Sequence, residues 1–455
     1  MKTNTLDFDA QALRERILDL AMRGKLVPQD PNNEPASTLL KSCDLKSANE
    51  QPHVIPRSWE WIVLGSAVKF INGRAYKKAE LLEDKSLTPV LRVGNLFTNS
   101  SWYYSDLQLD PDKYIDNGDL IYAWSASFGP RIWDGGHVIY HYHIWKLVLD
   151  QVVDKNYLYY FLLDKRNVIG ETDLHGSTMK HITKTNMEHL SFPLPPLIEQ
   201  QRIAAKIAQL FALLRKVESS TQQYAELQTL LKTKVLDLAM RGKLVKQDPN
   251  DEPASVLLEK IKAEKAELVK EKKIKKSKPL PPITDEEKPF DIPDNWEWVR
   301  VGNIINLFNG KAFKPSDWSV SGLPIVRIQN LNNAEAPYHY YNGQIEERFY
   351  LKGGELLFSW SGTPGTSFGA HIWRNEKAVL NQHIFKLIFD MTKLNKKYLA
   401  EALDFRVLTL INEAHGSAGL RHITKKMFEE TIIPIPPLEE QKRIVNEIAY
   451  LYEYL

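Results

Sequence analysis

The sequence predicts an α+β fold in which two similar, strand-rich globular domains of mixed α/β content are separated by long helices. These helices are expected to form an antiparallel coiled coil, and the whole is an internal repeat with pseudo-two-fold character. Three observations predict it: a near-verbatim repeat of a 23-residue segment, an apolar series recurring every seventh residue, and short strand-like runs punctuated by turn signals.

The repeat comes first because it fixes every boundary. LDLAMRGKLVPQDPNNEPASTLL (18–40) returns as LDLAMRGKLVKQDPNDEPASVLL (236–258), with 20 of 23 positions identical. The copies continue in order. IPRSWEWIVLG (55–65) matches IPDNWEWVRVG (292–302), INGRAYK (71–77) matches FNGKAFK (308–314), and VLRVGNL (90–96) matches IVRIQNL (325–331). GDLIYAWS, HIWKLVLD and HGSTMKHIT find partners in GELLFSWS, HIFKLIFD and HGSAGLRHIT, and FPLPPLIEQQRI (192–203) closes against IPIPPLEEQKRI (433–444). The chain therefore divides into copies at about 1–218 and 219–455. In order, the segments are an N-terminal helix and linker (1–52), a first domain (53–196), a central helical region (197–258), a Lys/Pro-rich linker (259–289), a second domain (290–437) and a C-terminal helix (438–455).

In 198–240, apolar residues occupy 203, 210, 217, 224, 231 and 238, an unbroken heptad series after Pro195-Pro196 and before Gly242. Such a helix needs a partner for its seam. The chain ends supply one, since the N-terminal helix copies its second half and the C-terminal helix its first. The expected seam comprises Leu13, Ile17 and Leu20 at the N-terminus, Ile203, Ile207, Leu210 and Leu214 centrally, and Ile444, Ile448 and Leu451 at the C-terminus. In 259–278, nine Lys face four Glu ahead of a Pro-rich run, read as a solvated helical stub and flexible linker. Within the two domains, LIYAW, HVIYHYHIWKLVL, ELLFSW and HIFKLIFD read as strands, with His143 and His383 as core histidines, and NG, GG and DNG read as turns.

Composition excludes several classes. With 43% hydrophobic and 25% charged residues the chain is ordinary and globular, and its single cysteine, Cys43, permits neither an internal disulfide nor a Cys-cluster zinc site. No apolar stretch is long enough to span a membrane and the N-terminus is amphipathic, so a cytoplasmic protein without membrane contact is expected. The net charge of +2 names no partner. Phosphate-binding and dinucleotide-binding glycine motifs are absent. Pro111-Asp112-Lys113 lacks the second acidic element of a nuclease metal site and is absent from the other copy, so it reads as a surface turn. The His-Gly-Ser segments (175–177 and 415–417) have no fixed carboxylate partner and read as structural or DNA-backbone loops. No catalytic, metal-binding or cofactor-binding residue is expected.

An aromatic-rich block ending in PLPPLIEQQRIAAKI or IPIPPLEEQKRIVNEI, then a long helix and RGKL, resembles the specificity (S) subunit of type I restriction-modification systems. The likeness covers essentially the whole chain twice. It implies a non-catalytic DNA-recognition subunit in which 53–196 and 290–437 each read one half of a split target in double-stranded DNA. It also implies helices that set half-site spacing and dock two methyltransferase subunits, with restriction subunits in the full complex. S-adenosylmethionine would sit on the methyltransferase, not on this chain. An alternative is a scaffold that bridges two partner subunits without reading DNA.

Bases are read by Arg, Lys, Asn and Gln, and phosphates by Lys, Arg, Ser, Thr and backbone amides. Candidates therefore pair polar positions of the two copies: Arg74, Lys77 and Lys78 with Lys311 and Lys314; Arg92 and Asn95 with Arg327 and Asn330; Ser125 with Ser361; Lys180 and His181 with Arg421 and His422. Charges shared by both copies suit phosphate. Positions that differ suit bases, such as Gly94 against Gln329, and Ser127 and Arg131 against Thr363 and His371. Lys plus Arg number 15 against 16 acidic residues in 53–196, and 16 against 15 in 290–437, so any basic surface is one face of each domain. Trp124 and Trp360 are expected to fill the core beside a turn, and the WEW pairs to pack where each domain begins.

Overall fold

The computed structural model describes residues 8–97, 101–125, 128–169, 182–272, 274, 278–333, 335–362, 368–413 and 421–455. The chain forms two compact units, Met1–Gln222 and Gln223–Leu455. The His-Gly-Ser segments lie outside the described residues.

The first unit contains β1 (Glu60–Val63), β2 (Val68–Asn72), β3 (Thr88–Leu91), β4 (Tyr103–Ser105), β5 (Tyr114–Ile115), β6 (Leu120–Ala123), β7 (Gly129–Ile132), β8 (Val138–Tyr140), β9 (Ile144–Leu149) and β10 (Ser191–Leu194). The second contains β11 (Glu297–Arg300), β12 (Asn306–Asn309), β13 (Leu323–Val326), β14 (His339–Tyr341), β15 (Tyr350–Leu351) and β16 (Leu356–Ser359). It continues with β17 (Ser361–Gly362), β18 (Gly369–Ile372), β19 (Ala378–Leu380), β20 (Ile384–Ile388), β21 (Arg421–His422) and β22 (Ile432–Ile435). The duplication extends to topology. The sheet β2-β9-β6-β7 recurs as β12-β20-β16-β18, β4-β3-β8-β5 recurs as β14-β13-β19-β15, and β1-β10 recurs as β11-β22. Pairing is antiparallel except between β3 and β8 and between β13 and β19, which run parallel.

HVIYHYHIWKLVL is thus not one strand. It breaks into β8, a turn at 141–143 and β9, and so passes from one four-stranded sheet to the other. This switch corrects the reading of His143 and His383 as core residues, since both are half-buried in the turn. The core lies between the sheets and the helices that follow β9 and β20, around Trp145, Tyr122, Phe70 and Tyr157 in one unit and Phe358, Phe385, Tyr398 and Phe428 in the other. A lysine ties the two sheets together in each unit: Lys146 Nζ donates to Tyr114 O at 3.0 Å, and Lys386 Nζ to Tyr350 O at 3.0 Å.

The central helix runs Leu197–Met240. Its first half packs with the N-terminal helix, Ala10–Met22, in one core containing Leu18, Ala21, Met22, Ile203, Ile207, Phe211 and Leu214, and Arg14 pairs with Glu218 at 2.5 Å. Its second half meets the C-terminal helix, Leu438–Tyr454, where Gln228 Nε2 donates to Leu455 O and Tyr452 Oη to Lys232 O at 3.3 Å. Of the expected seam, Ile203, Ile207, Leu214, Ile444 and Ile448 are buried, and Ile17, Leu20, Leu210 and Leu451 are half-buried. Leu13 is a correction. It is 43% exposed, because at about 100° per residue it lies roughly 140° round the helix from buried Leu18. Midway along the central helix Val217, Tyr224 and Leu231 are exposed too, so the heptad series overstates the buried seam.

The PPL-x-EQ motif is a clasp. Gln200, fully buried, donates to Val152 O at 2.9 Å and Pro195 O at 3.0 Å and accepts Asp154 N–H at 2.7 Å; Gln441 does the same with Pro436 O at 3.0 Å and Asn395 N–H at 2.8 Å. Buried Glu199 accepts from Gln29 Nε2 at 2.5 Å, while Glu440 accepts from Gln247 Nε2 and from Trp296 Nε1 at 3.0 Å. Each helix start is thereby tied to its domain and to the QDPN loop, through polar groups that burial requires to be paired. Burial pushes both glutamates above the usual carboxylate pKa.

The Lys/Pro-rich segment differs from the flexible spacer expected. Its helix, Ala254–Lys270, buries Ala254, Leu257 and Ile261, and Lys265 Nζ reaches Gly302 O at 3.0 Å. Beyond it, buried Arg300 donates to Pro281 O (2.7 Å), Pro282 O (3.0 Å) and both Glu287 oxygens (2.9 and 3.0 Å). The insertion is pinned to the second unit on both flanks, by a helix whose buried stripe runs from Ala254 and Leu257 in the repeated segment to Ile261 in the lysine run, and by the bonds of Arg300.

Candidate nucleic-acid interface

In each unit one edge gathers the ends of five strands around the turn that switches sheets. In the first unit, Arg74 N–H donates to Tyr140 O (3.0 Å), His141 N–H to Leu91 O (2.9 Å), Tyr142 N–H to Arg74 O (3.0 Å) and Trp124 N–H to His143 O (3.1 Å). The second unit repeats three of these four bonds, with Lys311 N–H on Leu380 O (2.8 Å), Asn381 N–H on Val326 O (3.1 Å) and Trp360 N–H on His383 O (3.3 Å). The shared Asn-Gly before these residues is not a turn, which corrects that expectation. A Cβ at Gly73 would lie 2.3 Å from Tyr140 O and 2.5 Å from His141 O, and one at Gly310 would lie 2.1 Å from Asn381 O. Glycine is there so that the turn's backbone can approach.

Several candidate residues meet at this edge, and their engagements differ. Arg74 is held by Glu80 through two bonds (2.8 and 3.1 Å) and lies over the Tyr76 ring; its counterpart Lys311 sits 4.9 Å from the Tyr341 ring centroid. Arg92 lies 4.4 Å from the Tyr103 ring and donates to Ser101 O (3.2 Å), as Arg327 does to Pro337 O (3.1 Å). Asn95 and Asn330 clip the backbone: each Oδ1 accepts the N–H of its arginine at 3.1 Å, and each Nδ2 donates to a carbonyl of the next loop, Ser101 O at 2.7 Å and Ala336 O at 3.0 Å. Their amides are committed within the fold. Ser125 and Ser361 are buried, while Lys77, Lys78, Lys314 and Gln329 are exposed.

Arg131 and His371 are equivalent positions on the edge strands β7 and β18. Arg131 donates to Leu96 O at 3.2 Å, and burial lowers the pKa of His371. Ser127, Thr363, Lys180 and His181 lie outside the described residues. Arg421 and His422 form β21, whose backbone pairs with Ser361 and Gly362 at the same edge. Trp124 and Trp360 half-bury beside the turn, 5.7 Å from Trp145 and 5.6 Å from Phe385 respectively. Pro111-Asp112-Lys113 is a single 3-10 turn in which Lys113 pairs with Asp112 at 2.9 Å.

Sequence reasoning missed the turn itself. Its tip reads His141-Tyr142 in one unit and Asn381-Gln382 in the other, ahead of the shared His143 and His383. His141 stands 4.9 Å from His143 and stacks on Tyr76 at 6.4 Å; burial, then His143 and Arg92, push its pKa down to about 4, so it is neutral at pH 7. The signal lay in the alignment of HYHIW with NQHIF, two polar differences inside an otherwise shared frame.

The comparisons agree with this duplicated architecture. Residues 56–229 and 293–453 match the family profile of the type I restriction modification DNA specificity domain. The EcoAI specificity subunit of Escherichia coli is 32% identical over 98% of this chain and 89% of its own length, and the EcoEI specificity subunit is 30% identical over the same shares. Among solved structures, the HsdS subunit of Thermoanaerobacter tengcongensis aligns with a TM-score of 0.50 at 18% identity, covering 89% of this chain and 92% of that one. A chain of a type I restriction-modification system solved in connection with complex assembly aligns at 0.59 and 19% over the same shares. With two specificity domains and relatives matched along nearly its whole length, the chain belongs to the family of type I restriction-modification specificity subunits.

Proposed function

We propose that this chain is a non-catalytic subunit that reads a bipartite target in double-stranded DNA, one half-site with 53–196 and the other with 290–437. The observation that carries the reading is the duplicated edge, where the same backbone frame holds a cation in both units and a turn tip that differs. Shared Arg74/Lys311 and Arg92/Arg327, with exposed Lys77, Lys78 and Lys314, suit phosphate, the ligand common to both halves. Differing side chains suit bases. Neither domain is basic overall, so attraction to DNA is confined to this edge rather than spread over the surface.

Two methyltransferase subunits dock on the helices and carry S-adenosylmethionine, and restriction subunits complete the assembly in the cytoplasm. The central helix acts as the ruler between half-sites. Methylome sequencing of cells carrying this chain with its methyltransferase tests the reading. A single bipartite modified motif is expected, and inserting or deleting residues in 205–235 changes its gap while leaving both half-sites intact. A continuous motif, or an unchanged gap, overturns it.

A further inference from the structure

We infer that the turn tip, His141-Tyr142 in the first unit and Asn381-Gln382 in the second, is the base-reading element of the frame, and that Asn381-Gln382 takes the major-groove edge of an adenine. The inference rests on the DNA-recognition reading above.

Three features of the turn converge on it. First, the turn closes in the same way in both units: Ile144 N–H returns to His141 O at 3.0 Å as Ile384 N–H returns to Asn381 O at 3.3 Å, and on the turn's side the bonds to the neighbouring strand ends use main-chain atoms, including Tyr142 O, which accepts from Trp124 Nε1 at 2.9 Å. The tip side chains are therefore free to differ without moving the frame. Second, the tip is flanked in both units by the features both copies keep, a cation on either side (Arg74 and Arg92; Lys311 and Arg327) and a tryptophan behind it. Reading must come from what differs between these fixed points.

Third, the amides at the tip are not consumed as those of Asn95 and Asn330 are. Asn381 Oδ1 receives only the His383 N–H, at 3.5 Å, and Gln382 Nε2 meets His383 Nε2 at 3.1 Å. Among the described residues, Asn381 Nδ2 and Gln382 Oε1 have no hydrogen-bond partner. A carboxamide supplies one donor and one acceptor side by side. Adenine presents the complement in the major groove, the N7 acceptor and the N6 amino donor, whereas guanine presents two acceptors there. His141-Tyr142 offers no such pair, so the first unit reads a different base or contacts the DNA by stacking.

The test uses the full chain in complex with its methyltransferase. Replacing the second tip by the first, Asn381→His with Gln382→Tyr, is expected to change or relax one adenine-containing position of the second half-site, with the first half-site and the gap unaltered in the same methylome. The intact first half-site doubles as the control for folding and assembly. A motif identical to wild type overturns the inference but leaves the recognition reading standing; a wild-type complex that modifies no bipartite motif removes that reading instead. Should the double variant modify nothing, Gln382→Ala and Asn381→Ala decide, through competition between duplexes differing at single base pairs. Discrimination for adenine at one position should fall on the order of ten- to a hundred-fold. Unchanged discrimination at every position overturns the inference.

Discussion

The two units share strand order, register, clasp and turn frame, yet they depart from each other where side chains leave the frame. Tyr160 and Leu163 on the helix after β9 become Glu401 and Asp404 on the helix after β20, Val63 becomes Arg300, and the tip changes from His-Tyr to Asn-Gln. The shared parts are bonded mainly through the backbone or through fully buried amides, so they tolerate no drift. The divergent parts leave that scaffold in place, whether they are buried against it, as Arg300 is, or stand at its edge, as the tip does. Duplication has thus sorted the residues into those that build the fold and those that individualise each copy.

The largest expected effect lies at Asp404. Burial pushes its pKa up to about 7 even though it accepts Ala370 N–H at 2.8 Å, and Glu401 is raised by burial as well. The unfolded chain releases this proton near the ordinary aspartate value. The folded chain keeps it until about pH 7, so stability falls as pH rises between about 4 and 7 and is level above. Asp404→Asn should therefore stabilise the second unit at pH 8, by on the order of 4 kcal/mol for a shift of about three units, and leave it unchanged at pH 4. Denaturant unfolding at the two pH values measures this, and an equal gain at both would refute the assignment.

Next come the glycines under the turn. Gly310→Ala places a methyl 2.1 Å from a backbone carbonyl, which must move; about 3 kcal/mol of destabilisation is expected, with loss of the second half-site alone, and Gly73→Ala should do the same to the first. Thermal unfolding together with half-site competition reads both. If either variant impaired the two half-sites equally, the frame would not be local. The clasp is the mildest probe. Gln200→Ala and Gln441→Ala each strand one buried N–H and at least one carbonyl, costing about 2 kcal/mol in urea unfolding, and matched losses are required if the clasp is equivalent in the two units.

The repeat and the long helix were legible because sequence identity and heptad spacing survive without any three-dimensional information. Which face of the N-terminal helix turns inward was not. Leu13 inherits its place in the heptad from Leu231, itself exposed, whereas burial follows the 3.6-residue stripe through Leu18, Ala21 and Met22. The switch between sheets at 141–143 was hidden because HVIYHYHIWKLVL is rich in β-branched and aromatic residues on both sides of the break, with no glycine or proline to mark it. Asn-Gly at 72–73 and 309–310 carried the composition of a turn, but its glycine answers to a segment distant in sequence. The pinning of the insertion is not legible because its buried stripe starts in the repeated segment, at Ala254 and Leu257, and only Ile261 carries it into the stretch of nine lysines. Of the candidate residues, the cations beside the turn are legible from the match between the two copies; the tip is not, because HYHIW reads as the interior of one strand.

The pairing of β1 with β10, Glu60 opposite Leu194, and of β11 with β22, Glu297 opposite Ile435, means that the chain enters and leaves each strand-rich block at one point. The block is topologically closed at its neck, and the neck is written in nearly the same residues in both copies, WEW on one side and PPL-x-EQ on the other. A recombination event with crossovers in those two stretches would exchange an entire block while leaving the helices and their length untouched, the clasp being completed by the main chain of the incoming block. Specificity in such a chain can change by cassette, in a single genetic step, without passing through a misfolded intermediate sequence.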